Sequence, residues 1–326
     1  MSELRVDPLT GLKTIIAAGR AGRPGAGFEL DPAPPIDPER DPFAPGHEDQ
    51  TPPEVHAVRP NGGAPDTPGW SVRVVPNLYP ALAPDAPEPD ADAHPDLFTA
   101  QAPRGHHEVI VNAPDSVTSL AELSPEQVGV AMEAWRARMR AHGDFACRHL
   151  IVNERREAGA SLPHTHAQLY ALSSVPAMVA RERERFAAYA AQTMGGNLLG
   201  DLVQEEVRRR ERIVAIDDEA VVMAPYASRV PFQLMLAPRR ARARFEDDGP
   251  LGASLLHDVL NRLRRLLGAS PPLNLWIRTA PRGADQFGWR IDVVPRLTHL
   301  AGLELGTGVH LCVVAPERAA AGLREA

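Results

Sequence analysis

Two histidines, a glutamine and a serine crowd into the run Gly159-Ala160-Ser161-Leu162-Pro163-His164-Thr165-His166-Ala167-Gln168-Leu169-Tyr170-Ala171. A turn of small residues feeds a segment in which polar and smaller or apolar side chains alternate. Neighbouring side chains of a strand point to opposite faces. A strand here therefore sets His164, His166, Gln168 and Tyr170 on one face and Thr165, Ala167, Leu169 and Ala171 on the other. Three kinds of chemistry are open to the polar face. Two imidazoles offer two of the four ligands that zinc wants, but no third His and no Cys-x-x-Cys lies at helpful local spacing. Histidines also pack in cores when their nitrogens are satisfied, the ordinary reading of a lone one. A neutral imidazole can attack phosphorus when an acceptor holds its other nitrogen, and backbone carbonyls around the strand can be that acceptor.

The elements that must position this strand are legible on both sides of it. Residues 107–112 read as a strand, and Ser124-Pro125-Glu126-Gln127 is a capping box opening an amphipathic helix to about His142. Residues 147–153 form the next strand, and the loop 154–163 leads into the His strand. Upstream, residues 14–18 and 70–75 are strands, the second running into Asn77 at its end. Arg20 and Arg23 follow the first in a glycine-rich loop, either as solvated arginines or as phosphate and ribose contacts. Downstream, residues 176–194 and 198–212 read as helices broken by Gly195-Gly196. A hairpin follows, with Asp217-Asp218-Glu219 at its tip.

Residues 231–238, 251–267, 273–278 and 288–295 then repeat the order strand, helix, strand, strand. That is an internal duplication. Gly288 stands where the first copy has His164, Arg290 where it has His166, and Asp292 where it has Gln168. One copy is equipped for chemistry, and its duplicate has drifted to structure. The expected division is a first half over residues 1–175 with the His strand and a second half over 176–326 with a degenerate site.

Composition narrows the field. The chain has 326 residues, a formal charge of −7, 44% hydrophobic and 24% charged residues, an ordinary soluble balance. There is no basic field for nucleic acid and no apolar run of about 20 residues for a membrane span. Met1 to Leu12 lacks a signal-peptide core, so the expected location is the cytoplasm. Cys147 and Cys312 are the only cysteines, which excludes a disulfide framework and a thiolate zinc cage. Lys13 is the sole lysine and no Gly-x-x-x-x-Gly-Lys loop exists, so P-loop chemistry is excluded.

The run from Gly159 to Gln168 resembles the Gly-x-Ser-x-x-His-x-His-x-Gln signature of galactose-1-phosphate uridylyltransferases, members of the histidine-triad superfamily. Asp7-Pro8-Leu9-Thr10-Gly11 is similar to the family's opening turn, and Pro76 to Leu82 to its Pro-Asn-x-x-Pro-Ala-Leu segment. Residues 120–124 and 301–308 also match, the latter in a form shared with ADP-glucose phosphorylases. The resemblance implies an α+β fold, duplicated, with two antiparallel half-barrel sheets and flanking helices, and a homodimer. It implies a ping-pong reaction in which His166 attacks the α-phosphorus of a nucleoside diphosphate sugar. The His164 carbonyl orients the His166 ring, Gln168 donates to the phosphoryl oxygens and Ser161 to the leaving phosphate. Asn153, Asn77, Arg20 and Arg23 hold the nucleotide. A sugar-1-phosphate is the expected second substrate. The readings left open are an ADP-sugar or dinucleotide phosphorylase and a non-catalytic nucleotide-binding regulator. The chain departs from zinc-bearing relatives, since Asp41-Pro42-Phe43-Ala44 replaces a cysteine pair and Ser116 stands near an expected His. No metal or other cofactor is expected.

Overall fold

The computed structural model describes residues 2–20, 28–90, 94 and 97–326. Its first half contains β1 (Glu3–Val6), β2 (Lys13–Ile16), β3 (His56–Val58), β4 (Val72–Pro76), β5 (Gly105–Val111), α1 (Pro125–Ala141), β6 (Cys147–Glu154) and β7 (His166–Leu172). Then come α2 (Ala177–Gln192), α3 (Leu198–Arg209), β8 (Ile213–Ile216), β9 (Ala220–Met223), β10 (Leu234–Pro238) and α4 (Ala253–Leu267). The chain closes with β11 (Leu273–Arg278), β12 (Arg290–Pro295), α5 (Gly302–Thr307), β13 (Val309–Cys312) and α6 (Pro316–Glu325).

Ten of these strands form one sheet in the order β3-β4-β5-β7-β6-β11-β12-β10-β9-β8. Reading outward from the centre, each half supplies the same five positions, so the duplication is visible in the topology. The two expected antiparallel half-sheets are joined edge to edge. β6 pairs with β11, with Ile151 opposite Trp276 and Asn153 opposite Asn274. A small second sheet holds β1, β2 and β13, with β13 parallel to β2. Among the described residues no helix is long and apolar enough to cross a membrane.

The period-two alternation of the strands gives the large sheet two unlike faces. One carries Val74, Ile110, Leu150, Val152, Ala167, Leu169, Leu236, Leu275 and Ile291, packed against α1 and α4 in the main core. Ser124 caps α1 by accepting from the Gln127 N–H at 3.1 Å, as the sequence signals. The Gln127 amide turns elsewhere, donating to the carbonyls of Ser71 and Asn112, and so ties the helix to the sheet. The opposite face is treated differently in the two halves. In the second half α2 and α3 lie on it, with Phe186, Leu199 and Val203 meeting Met223 and Met235. In the first half the covering is lighter, a patch of Phe43, Trp70, Val75, Val109 and Val111. Under it His166 is buried, and Gln168 and Tyr170 of β7 are half-buried.

Several element boundaries shift from the sequence reading, and two of the shifts bear on the site or have a local backbone cause. The helix expected to reach Arg212 ends at Arg209, because Arg210 turns left-handed (φ 59°) as its cap. The His strand begins at His166, so His164 lies in the loop just before it.

Candidate active site

His166 opens β7 and is buried at 4% exposure. Its Nδ1 lies 2.7 Å from the His164 carbonyl oxygen. A carbonyl can only accept, so Nδ1 carries the hydrogen and Nε2 keeps its lone pair. Burial pushes the imidazole below its ordinary value, against the raising effect of that hydrogen bond. The ring rests neutral, fixed in tautomer, with one nitrogen ready to act as a nucleophile. The Phe43 ring meets it edge-on, centroids 5.4 Å apart.

His164 aims this ring through its backbone and is itself clamped. Fully buried, it has Nδ1 2.6 Å from an Asp41 carboxylate oxygen and Nε2 2.9 Å from the Ala113 carbonyl. Both neighbours are acceptors, so the ring donates through both nitrogens. The same Asp41 oxygen accepts from Ser116 Oγ at 2.7 Å, and the other accepts from the Phe43 N–H at 3.0 Å. Burial raises the Asp41 carboxyl, and the hydrogen bonds from His164 and Ser116 outweigh it, holding the group below the usual carboxylate range. The three residues that stand at the zinc positions of the resemblance, Asp41, Ser116 and His164, thus meet as one hydrogen-bonded corner. They do not fit a four-ligand zinc site: both nitrogens of His164 are already spent as donors, and Ser116 is no usual zinc ligand. Among the described residues no group of three or more His, Cys, Asp or Glu can hold a metal.

Two residues along β7, the Gln168 carbonyl oxygen lies 3.0 Å from Tyr170 Oη and 3.0 Å from His107 Nε2. His107, on β5, stacks on Tyr170 with centroids 4.1 Å apart. Asn77 Nδ2 is 3.2 Å from the same His107 nitrogen, which brings the nucleotide-binding candidate Asn77 beside Gln168. Burial pushes His107 down, and pushes His149 on the same face to about 4, with the Arg278 charge adding to the effect. The face around His166 is therefore a row of neutral imidazoles and amides.

The remaining expected residues are placed less tightly. Asn153 accepts from Asn274 Nδ2 at 2.8 Å across the seam between the halves. Ser161 is exposed and lines an open cavity of about 980 Å³ with Thr118, Arg155 and Arg156. It makes no recorded contact with His166. Arg20 is exposed in the short helical turn after β2, away from any hydrogen bond or ion pair with the other site residues among the described residues. Arg23 lies outside the described residues. Two partners were missed from sequence: Asp41, more than a hundred residues from the histidine it clamps, and His107. The alternation of β5 puts His107, Val109 and Val111 on the site face, which is the signal that could have found it.

In the second copy the same face is ionic. Glu182, from α2 and fully buried, stands 3.0 Å from Arg290 Nη1 and 3.1 Å from Arg278 Nε. Arg290 also pairs with Asp292 at 3.1 Å. A Cβ added at Gly288 would lie 2.8 Å from the Leu199 side chain of α3, so no histidine fits there. The helices that cover this face leave a small cavity of about 30 Å³, lined by Glu182, Trp276, Arg278, Arg290 and Asp292.

Residues 1–176 match the family described as galactose-1-phosphate uridyl transferase, N-terminal domain. An ADP-glucose phosphorylase of Arabidopsis thaliana is 28% identical over 337 residues, spanning 99% of this chain and 92% of its own. A galactose-1-phosphate uridylyltransferase of Rattus norvegicus is 29% identical over 285 residues, spanning 86% and 73%. Among solved structures, an Arabidopsis thaliana ADP-glucose phosphorylase with bound ADP-glucose is similar at TM-score 0.81 and 27% identity, covering 100% of this chain and 99% of its own. Fold and matches together define an enzyme of the nucleotidyltransferase class. The chain belongs to the galactose-1-phosphate uridyl transferase family.

Proposed function

We propose that this enzyme exchanges a nucleoside monophosphate between a nucleoside diphosphate hexose and a hexose-1-phosphate, as a UDP-glucose–hexose-1-phosphate uridylyltransferase, through a nucleotidyl group held on His166. One observation carries the reading: the buried His166 ring, its Nδ1–H bound to the His164 carbonyl at 2.7 Å, presents a neutral Nε2. In the first step Nε2 bonds to the α-phosphorus as the bond to the sugar phosphate oxygen breaks. The departing sugar phosphate keeps that electron pair, and Ser161 donates to it. In the second step a phosphate oxygen of the acceptor takes the phosphorus and the P–N bond breaks. The Gln168 amide donates to the non-bridging oxygens as their charge grows; one such donor is worth about 10²–10³ in rate. Asn77, Asn153, Arg20 and Arg23 are assigned to the nucleotide. The residues at the zinc positions form the Asp41 corner instead, so the proposal includes no bound metal. The first half, 1–175, does the chemistry and the second, 176–326, is its degenerate copy. The enzyme is placed in the cytoplasm as a homodimer.

A second reading has specific support. The ADP-glucose phosphorylase relative matches both halves of the chain nearly end to end. In that case inorganic phosphate accepts an adenylyl group from His166. Incubation with labelled UDP-glucose or ADP-glucose, followed by a basic quench, decides. A base-stable, acid-labile label on the protein, absent in His166→Gly, is expected. Label from UDP-glucose discharged by a hexose-1-phosphate supports the first reading, and label from ADP-glucose discharged by phosphate the second. No label from either donor, or undiminished label in His166→Gly, refutes both.

A further inference from the structure

We propose that His107 is a positioning residue for the transfer step, holding Gln168 so that its amide nitrogen, not its carbonyl oxygen, faces the phosphoryl group. The proposal rests on the role given above to Gln168 and asks what makes that role reliable. A primary amide has a donor end and an acceptor end of nearly the same size, and only its neighbours decide which is which. With the acceptor end toward a phosphoryl group, oxygen would oppose oxygen and the residue would hinder the reaction.

The neighbours settle it in three steps. The Ala81 N–H points at His107 Nδ1, 3.1 Å away, and a backbone N–H can only donate. Nδ1 is therefore the bare nitrogen, and a neutral ring then carries its one hydrogen on Nε2. That Nε2–H faces a Gln168 side-chain atom at 3.0 Å, which must be an acceptor and hence Oε1. Tyr170 Oη donates to the same oxygen at 3.0 Å. With its oxygen doubly anchored, Gln168 has left its amide nitrogen, with no recorded partner among the described residues, to donate to substrate.

The chain takes care to keep the ring in this state. His107 is buried at 7% exposure and stacked on Tyr170, its direct cross-strand partner. Burial lowers its affinity for a second proton, which would in any case set an N–H against that of Ala81. Asn77 Nδ2 lies 3.2 Å from His107 Nε2, because Asn77 Oδ1 is engaged by the Tyr79 N–H at 2.8 Å. That is a contact between two donors. The other tautomer would relieve it, but would turn Nδ1–H against the Ala81 N–H and release Gln168. Two satisfied contacts outweigh one.

The same chain of bonds starts at Ala81, in the segment after β4 that also bears Asn77.

The test compares His107→Phe, which keeps ring and stacking but neither nitrogen, with His107→Gln, whose amide nitrogen falls near Nε2. In single-turnover labelling by UDP-glucose and ADP-glucose, His107→Phe is expected to slow the first half-reaction about 10–100-fold. Nucleotide-sugar affinity, measured in a His166→Gly background, should change less than about threefold, and His107→Gln should restore most of the rate. Added to Gln168→Ala, the Phe change should cost nothing further. Additive losses, or a His107→Phe enzyme that labels at the wild-type rate, overturn the proposal. The tautomer is read independently by long-range ¹H–¹⁵N NMR of the resting protein, with His107→Phe assigning the signals. Hydrogen on Nε2 is expected, and hydrogen on Nδ1 overturns the proposal even if no donor labels the wild-type enzyme. Absence of label would refute the nucleotidyl-histidine reading alone.

Discussion

Removing the Asp41 carboxylate tests whether the corner behind His166 does the work assigned to it. In Asp41→Ala the buried His164 Nδ1–H and the buried Phe43 N–H lose their acceptor, while half-buried Ser116 can turn to water. Each orphaned donor costs about 1–3 kcal/mol. The two orphaned donors together bring the expected loss to about 3 kcal/mol, the lower edge of what breaking a buried ion pair costs. Asp41→Asn keeps the acceptor for Phe43 and orphans one donor in place of two, so it should cost less, about 1–2 kcal/mol. The pH dependence has a definite sign. Asp41 is held below its ordinary value of 3.8, so its contribution is complete above that pH and fades as pH falls through the lowered value. Urea unfolding followed by circular dichroism should show Ala and wild type well separated at pH 7 and converging below about pH 3.8. Because the His164 carbonyl orients His166, the Ala variant should also label about 10²-fold more slowly, the usual effect of an ångström-scale misplacement. An Asp41→Ala enzyme with wild-type stability at pH 7 and wild-type labelling would refute the reasoning.

Further outcomes follow from other parts of the structure. With His166 held below its ordinary value of 6.5, the labelling rate should stay flat from pH 8 to below that value, whereas a profile falling from pH 7 would contradict a neutral resting nucleophile. Glu154 is fully buried, burial raising its carboxyl to about 7 despite bonds from the Ser119 hydroxyl and the Leu120 N–H. The folded state then binds more protons between the ordinary value of 4.5 and about 7, so stability should fall by roughly 3 kcal/mol as pH rises through that window. Glu154→Gln should flatten this slope in denaturation titrations. A Cβ on Gly105 would sit 2.1 Å from the Ala171 carbonyl oxygen across the β5–β7 pair, so Gly105→Ala should lower the melting temperature by several degrees or prevent soluble expression. Gly288→His, which restores the missing motif, should likewise destabilise by displacing Leu199, and no label should appear at the new histidine.

The parts of this architecture that local patterns encode could be read without coordinates. The capped helix α1 announced itself through Ser124-Pro125. The strands of both halves showed their period-two alternation, and the turn at Asp7 closes as its composition suggests, with Asp7 accepting from the Leu9 N–H and the Thr10 hydroxyl. Only long-range pairing decides the rest. β13 joins β2 across almost the whole chain, and β6 meets β11 because each would otherwise be a bare edge. Within the site, His166 and His164 stood out because they are two residues apart in a run with strand-like alternation, although only His166 lies on the strand. Asp41 was invisible as a partner, since nothing local in an Asp-Pro-Phe-Ala loop says which buried base it will meet. His107 was read as part of a strand but not as part of the site, because a one-dimensional pattern gives the face of a residue and not its neighbour on the adjacent strand.

The seam between β6 and β11 has a consequence for how the two halves could ever have been separate. Each copy, taken alone, would end in a strand whose amides and carbonyls point outward unpaired, an invitation to self-association. Two equal copies would satisfy those edges by pairing as separate chains in the antiparallel manner of β6 and β11. In one polypeptide that pairing is fixed permanently, and each copy is free to differ from the other. One retained the imidazoles, and the other could accept α2 and α3 across its face without losing the edge its sister depends on. The second half is thus a permanent sheet neighbour: it completes the strand carrying Asn153, and through Asn274 it holds that side chain in place.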